Sequence, residues 1–224
     1  MTTLADPHEL PPDTTPEVHD TLDNRTRWAA FLTILLAQFM NLIDVTIVNV
    51  ALPSMRDNLG ASDAQIEWVV AAYVLAFALG LLPFGRLGDI VGRSRMFLIG
   101  VAAFTLASAL CGMAQSIEML IGARVLQGVG GAMMTPVGRL VLLRSTEKSH
   151  LVNAMAWLTI PALVGPMVGP PVGGFLTTFL SWHWIFLINL PIGLAGIVFA
   201  VKILPEDGFH TRQKVDWLGF LLSG

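Results

Sequence analysis

Two charged side chains stand inside long apolar stretches where ordinary solvation is not available. Asp44 is the only charged residue in 28–50, and Arg124 lies six residues into the apolar run 119–142. A lone carboxylate and a guanidinium in such surroundings, with Arg139 nearer the far end of the same run as Arg124, suggest proton chemistry. The carboxyl group can take up and release a proton, and the cation is the natural counter-charge for its ionised form. They can pair if their segments are neighbours. Gln127 falls one turn after Arg124 on the same helical face, and Gln38, Asn41, Thr46 and Asn49 add polar groups to the Asp44 segment. Those amides and hydroxyls also suit plain interhelical hydrogen bonds. A static ion pair, or an Asp44 carboxylate held by Thr46 and Asn49, remains the competing reading.

A second group lies at 85–95. Gly85, Gly88 and Gly92 allow a tight turn and close approach of helix ends, and Asp89 is spaced to meet a helix N-terminus or the neighbouring Arg93 and Arg95. Arginines alone would serve only to orient a membrane segment, whereas Gly, acid and Arg together suit a latch. A third group lies in 151–179. Gly165, Gly169 and Gly173 recur every four residues with Gly174 beside them, which makes a close-packing stripe. Pro166 and Pro170 recur at the same interval, with Pro171 adjacent, and predict a bend.

Other chemistries find no support. The chain has no HExxH, GxSxG, GxxxxGK[ST] or post-strand GxGxxG pattern. Cys111 is the single cysteine, and none of the five histidines has a metal-binding neighbour at usable spacing, so no metal site and no enzyme activity are expected.

The elements that must position these residues follow from composition. Of 224 residues, 54% are hydrophobic and 13% charged, with a mean hydropathy of +0.68. Soluble domains carry about 25% charged residues, so a nucleic-acid binder, a disordered protein and a typical cytosolic enzyme are all excluded as first readings. A bilayer core takes about 20 helical residues to cross. Six runs qualify, at 28–50, 65–84, 95–115, 119–142, 151–179 and 184–204, with links expected at 53–64, 85–94, 116–118, 143–150 and 180–183. Residues 1–24, acidic and proline-rich, read as a disordered tail, 205–216 as a polar link, and 217–224 as the start of a truncated seventh span. Ten of the thirteen cations fall on one side of the alternating topology, and Arg56 alone is in a loop on the other. That bias places the N-terminus in the cytoplasm of a multi-pass cell (inner) membrane protein.

The residues 42–53, from Leu42 through Asp44 to Pro53, resemble the first-span signature of drug:proton antiporters of the major facilitator superfamily. Gly85, Leu87, Asp89, Gly92, Arg93 and Arg95 resemble its loop signature. Arg124, Gln127, Gly128 and Gly130 resemble its fourth-span signature, and Gly165, Gly169, Pro170, Gly173 and Gly174 its fifth-span antiporter signature. Residues 182–193 and 216–219 are similar to the sixth span and extra central helix of the fourteen-span branch, except that His183 stands where Arg is usual. The resemblance implies an all-α membrane protein: a six-span N-terminal bundle of the major facilitator fold plus the start of a seventh span. It further implies proton-coupled efflux of drug-like organic molecules by alternating access. Asp44 and Arg124 would then serve proton coupling, with Asp89 and Arg93 in a cytoplasmic latch. No cofactor beyond the proton gradient is implied, and the partners are a small organic substrate, protons and lipid, with no nucleic acid. Such a bundle supplies one wall of a cavity, so a C-terminal half or a second copy is needed, and the chain is expected to be an N-terminal fragment. The alternatives are a same-fold exporter of a metabolite or siderophore, and a non-transporting half-bundle acting as partner or scaffold.

Overall fold

The computed structural model of the chain describes residues 24–145 and 151–203. Expectations for 1–23, 146–150 and 204–224 fall outside the described residues. Within them the chain is a succession of helices: α1 (Asn24–Leu59), α2 (Asp63–Val91), α3 (Arg93–Gly112), α4 (Ile117–Ser145), α5 (Leu151–Phe179), α6 (Trp184–Leu187) and α7 (Asn189–Ile203). Among the described residues, four stretches are long and apolar enough to cross a membrane: Ala29–Leu59, Asp63–Val91, Arg93–Gly112 and Trp184–Ile203. The last joins α6 and α7. Helices α4 and α5 have 29 residues each, about 43 Å at 1.5 Å per residue.

Local chemistry explains most boundaries. Ser62 and Gln65 form a capping box at the start of α2: the Ser62 hydroxyl accepts from the Gln65 N–H at 3.3 Å, and Gln65 Oε1 accepts from the Ser62 N–H at 3.0 Å. Gly60, at φ +62°, turns the chain out of α1, and the Ala61 N–H returns to the Arg56 carbonyl at 3.1 Å. Ser116 Oγ caps α4 by accepting from the Met119 N–H at 3.2 Å. Pro191 has no N–H to offer the Leu187 carbonyl four residues before it, and the sixth span breaks at Ile188, between α6 and α7.

Two expected links are largely helical instead. The link at 53–64 narrows to 60–62, because α1 continues through Pro53 and its last turns are held by bonds such as Asn58 Nδ2 to the Ser54 carbonyl at 2.9 Å. The loop expected at 85–94 is also corrected. Gly85 and Asp89 belong to α2, Arg93 and Arg95 to α3, and Gly92 alone lies between them, at φ +103°. The Gly92 N–H still bonds the Gly88 carbonyl at 3.2 Å, so the reversal uses one residue rather than ten. That φ value favours glycine at this position.

Close approach organises the bundle. Helix α4 packs between α2 and α3, α1 packs on α5 and α7, and α3 packs on α7. A methyl group on Gly130 would lie 2.6 Å from the Phe104 backbone nitrogen. Gly165, Gly169 and Gly173 face α1 at Leu42, Thr46, Ile47 and Val50, whereas Gly174 faces open space. Helix α5 is continuous through Pro166, Pro170 and Pro171, all three exposed. The buried apolar side chains form two clusters. One contains Ile47, Ala51, Val69, Leu120, Ile185 and Phe186; the other contains Ile34, Met40, Phe97, Val101, Phe104 and Met134. On α1 they lie on opposite sides of Asp44.

Two alanine substitutions separate packing from helix propensity. Gly130→Ala forces side chain against backbone and should destabilise the protein by about 1–3 kcal/mol. Gly174→Ala meets nothing within 4 Å and should be neutral or raise stability by up to about 1 kcal/mol. Thermal unfolding in detergent checks both; equal effects would contradict this packing.

Candidate functional site

Between the two apolar clusters lies a closed polar network drawn from α1, α2, α3, α4, α6 and α7. At its centre Asp44 is 0% exposed and Arg124 1%. Arg124 Nη1 donates to Asp44 Oδ2 at 2.6 Å and to Gln127 Oε1 at 2.7 Å, while its Nε donates to the Val69 carbonyl at 3.0 Å. The guanidinium carbon stands 4.1 Å from the Tyr73 ring centre and 5.9 Å from that of Phe186. The cation is therefore held by a carboxylate, a side-chain amide, a backbone carbonyl and an aromatic face.

The other carboxylate oxygen is equally occupied. Asp44 Oδ1 accepts from Gln127 Nε2 at 2.9 Å and from Asn189 Nδ2 at 3.1 Å. Both amides also donate to Ser108 Oγ, at 3.2 and 3.0 Å, and Ser108 in turn donates to the Phe186 carbonyl at 2.9 Å. The hydroxyl thus uses its one donor and both acceptor positions. Gln127 Oε1 accepts a further contact from Cys111 Sγ at 3.6 Å. Asn41 accepts from the Tyr73 hydroxyl on the same side of the bundle.

The helices explain this convergence. Arg124 and Gln127 are three residues apart on α4 and project together. Ser108 and Cys111 repeat that spacing on α3. Asn189 is the first residue of α7, delivered by the break at Ile188.

The sequence-predicted residues separate into groups. Asp44, Arg124 and Gln127 meet directly, and Asn41 lies nearby on Tyr73. Thr46 does not hold Asp44; its hydroxyl donates along α1 to the Ile43 carbonyl at 3.0 Å and to the Gly165 carbonyl of α5 at 3.4 Å. Asn49 is exposed and bonds the Val45 carbonyl at 2.9 Å, and Gln38 is half-buried on α1. At the α2–α3 junction Asp89 Oδ1 accepts from Arg93 Nε at 3.1 Å and Nη2 at 2.5 Å, across Gly92. Gly85 lies beside Pro136, and Arg95 is exposed. Gly165, Gly169 and Gly173 form the α1–α5 seam, and Pro170 and Gly174 lie off it. Ser108, Asn189 and Tyr73 were not singled out as site residues. A serine in an apolar helix and an asparagine just before Pro191 gave a signal too common to select them.

The network's asymmetry predicts unequal mutational costs. Arg124→Met leaves a buried carboxylate with only amide donors and should lower stability by about 3–5 kcal/mol. Asp44→Asn has the shape of the protonated acid, and Arg124 keeps Gln127, the Val69 carbonyl and the Tyr73 face. It should cost distinctly less. Denaturation in detergent checks the order, and equal losses would contradict it.

The profile described as Major Facilitator Superfamily matches residues 34–219. The chain is 43% identical over 201 residues, 90% of its length, to a protein from Cronobacter sakazakii that carries the name multidrug resistance protein MdtD, and covers 42% of that protein. It is 44% identical over 184 residues to the similarly named protein of Serratia proteamaculans, covering 82% of this chain and 38% of that one. The chain therefore spans about two fifths of the length of these relatives. Its fold also matches the crystal structure of a bacterial homologue of the human lysosomal transporter Spinster, inward-facing and unoccupied, with a TM-score of 0.68, 20% identity, and coverage of 88% of this chain and 47% of that one. An all-helical bundle with membrane-length apolar helices, matched by the profile over most of its length, is a member of the Major Facilitator Superfamily.

Proposed function

We propose that this chain forms one six-helix half of a proton-coupled exporter of drug-like organic molecules that works by alternating access. The observation that carries the reading is the buried Asp44–Arg124 pair, because a protonatable group at membrane depth, with its counter-charge held by independent partners, can change charge without losing its surroundings. The multidrug resistance names of the relatives support the substrate class. In this reading the second half of the cavity comes from further chain or a second copy. No cofactor is used beyond the proton gradient, and the excess of Lys and Arg on one side supports a cytoplasmic N-terminus in the inner membrane.

A proton bound by Asp44 removes the carboxylate's negative charge and leaves the Arg124 cation held by Gln127, the Val69 carbonyl and the Tyr73 face, a weaker set than the ion pair. Either the bundle rearranges or the proton leaves, and that coupling is what an antiporter needs. The Asp89–Arg93 pair at the α2–α3 junction, 54% and 16% exposed at the side chain, would latch one arrangement. Its exposure makes it a weak clamp, suited to opening once per cycle. Gly85, Gly92 and Arg95 complete that junction, and the α1–α5 glycine seam allows the helices to slide.

A fixed ion pair that only holds the bundle together is favoured by the completeness of the hydrogen bonding. Transport decides between the two. In everted vesicles carrying the full-length protein, Asp44→Asn should abolish proton-driven drug efflux while the protein still inserts. Efflux unchanged from wild type would remove Asp44 as the coupling group and leave the fixed pair.

A further inference from the structure

The sixth span is broken at a point that the buried network holds from both sides. Ser108 grips the Phe186 carbonyl, near the end of α6, at 2.9 Å. Asn189 opens α7 and donates to Asp44 and to Ser108 at 3.1 and 3.0 Å. Between them stands Ile188, outside both helices, and Pro191 prevents the Leu187 carbonyl from receiving its helical bond. The joint of the sixth span is therefore tied to the Asp44 carboxylate through two neutral side chains.

We propose that Asn189 and Ser108 are positioning residues that make the α6–α7 joint respond to the charge on Asp44. The proposal rests on Asp44 being the proton carrier. When Asp44 is ionised, its Oδ1 accepts two N–H bonds. A proton arriving from the aqueous phase is taken up on Oδ1, because Oδ2 faces the Arg124 cation, and Oδ1 then carries an O–H and one acceptor position, so two N–H groups no longer fit there. Gln127 cannot turn away readily, because its Oε1 is fixed by Arg124 and Cys111. Asn189 has no such second anchor on α4; its amide nitrogen bonds only Asp44 and Ser108. It is the donor that leaves, and because it begins α7, its departure moves the joint. The reverse motion, closing the joint, restores the donor and favours release of the proton.

The charged and titratable groups facing Asp44 are few. Helix α4 presents Arg124, α2 presents Tyr73 and α3 presents Cys111. Helices α5 and α6 contain no ionisable residue, and α7 has only Lys202, in its last turn. His183, one residue before α6 and stacked on Trp182, is the other titratable group beside the joint, so the pH profiles are compared in a His183→Gln background, where Asp44 is the group whose protonation the joint can follow.

Cys111 supplies a reporter, since it is buried, is this chain's single cysteine and touches Gln127. The rate of maleimide labelling at Cys111, read by mass spectrometry of its peptide in the full-length protein and divided at each pH by the rate for a free model thiol so that the shared loss of thiolate cancels, should rise as pH falls and the network loosens. Asn189→Leu and Ser108→Ala each weaken the support of the ionised carboxylate. Each should therefore shift the midpoint of that rise toward alkaline pH. Asp44→Asn should make this normalised rate independent of pH. If Asp44→Asn flattens the profile but both other variants superimpose on wild type, the positioning role is overturned and the carrier stands. If the Asp44→Asn profile keeps its pH dependence, the carrier reading falls, and this proposal with it. Ser108→Ala removes a single hydroxyl and provides the answer should Asn189→Leu fail to insert.

Discussion

Everything in this bundle accommodates one buried charge pair. An ion pair taken out of water is stable only when its remaining donors and acceptors are satisfied as well. Asp44 and Arg124 meet that condition with partners from most of the helices: Val69 and Tyr73 on α2, Ser108 on α3, Gln127 on α4, Asn189 on α7. Each partner fixes the helix that bears it, so the pair sets how far and at what rotation those helices pack. The apolar clusters on either side keep water out and strengthen the attraction between the charges. Glycines at the closest crossings make that packing possible, as at Gly130 against Phe104.

Such a network is strong when complete and costly when one member is missing. A change in one proton is therefore felt across several helices, which is the property a coupled transporter requires. The place where the fold is least continuous, the α6–α7 break, is also where two members of the network attach. Outside the buried layer the junctions are different in kind. The Asp89–Arg93 pair is partly exposed and spans one glycine, so it can open without leaving a buried charge unpaired.

Much of this was legible in the sequence. Membrane-length helices followed from hydropathy alone, and a carboxylate and a guanidinium in apolar runs announced themselves because charge there is rare. Their meeting was conditional on α1 and α4 being neighbours, which spacing within a chain cannot decide. Helix ends were less legible. Pro53, Gly85 and Gly88 looked like loop signals, yet α1 and α2 run through them, since proline and glycine are tolerated in membrane helices when neighbouring groups satisfy the backbone. Ser108 and Asn189 were hidden for a different reason. Their importance comes from where three-dimensional packing places them, and a neutral polar residue in an apolar helix carries no mark of its partners.

The most direct measurement is the protonation state of Asp44 itself, by infrared difference spectroscopy of the full-length protein titrated with and without a transported drug. A protonated-carboxyl band that grows as pH falls, disappears in Asp44→Asn and moves its midpoint when drug is added is the result expected of a proton carrier coupled to substrate. An Asp44 that stays ionised across the whole pH range in which transport occurs would contradict the account and make the pair a fixed brace.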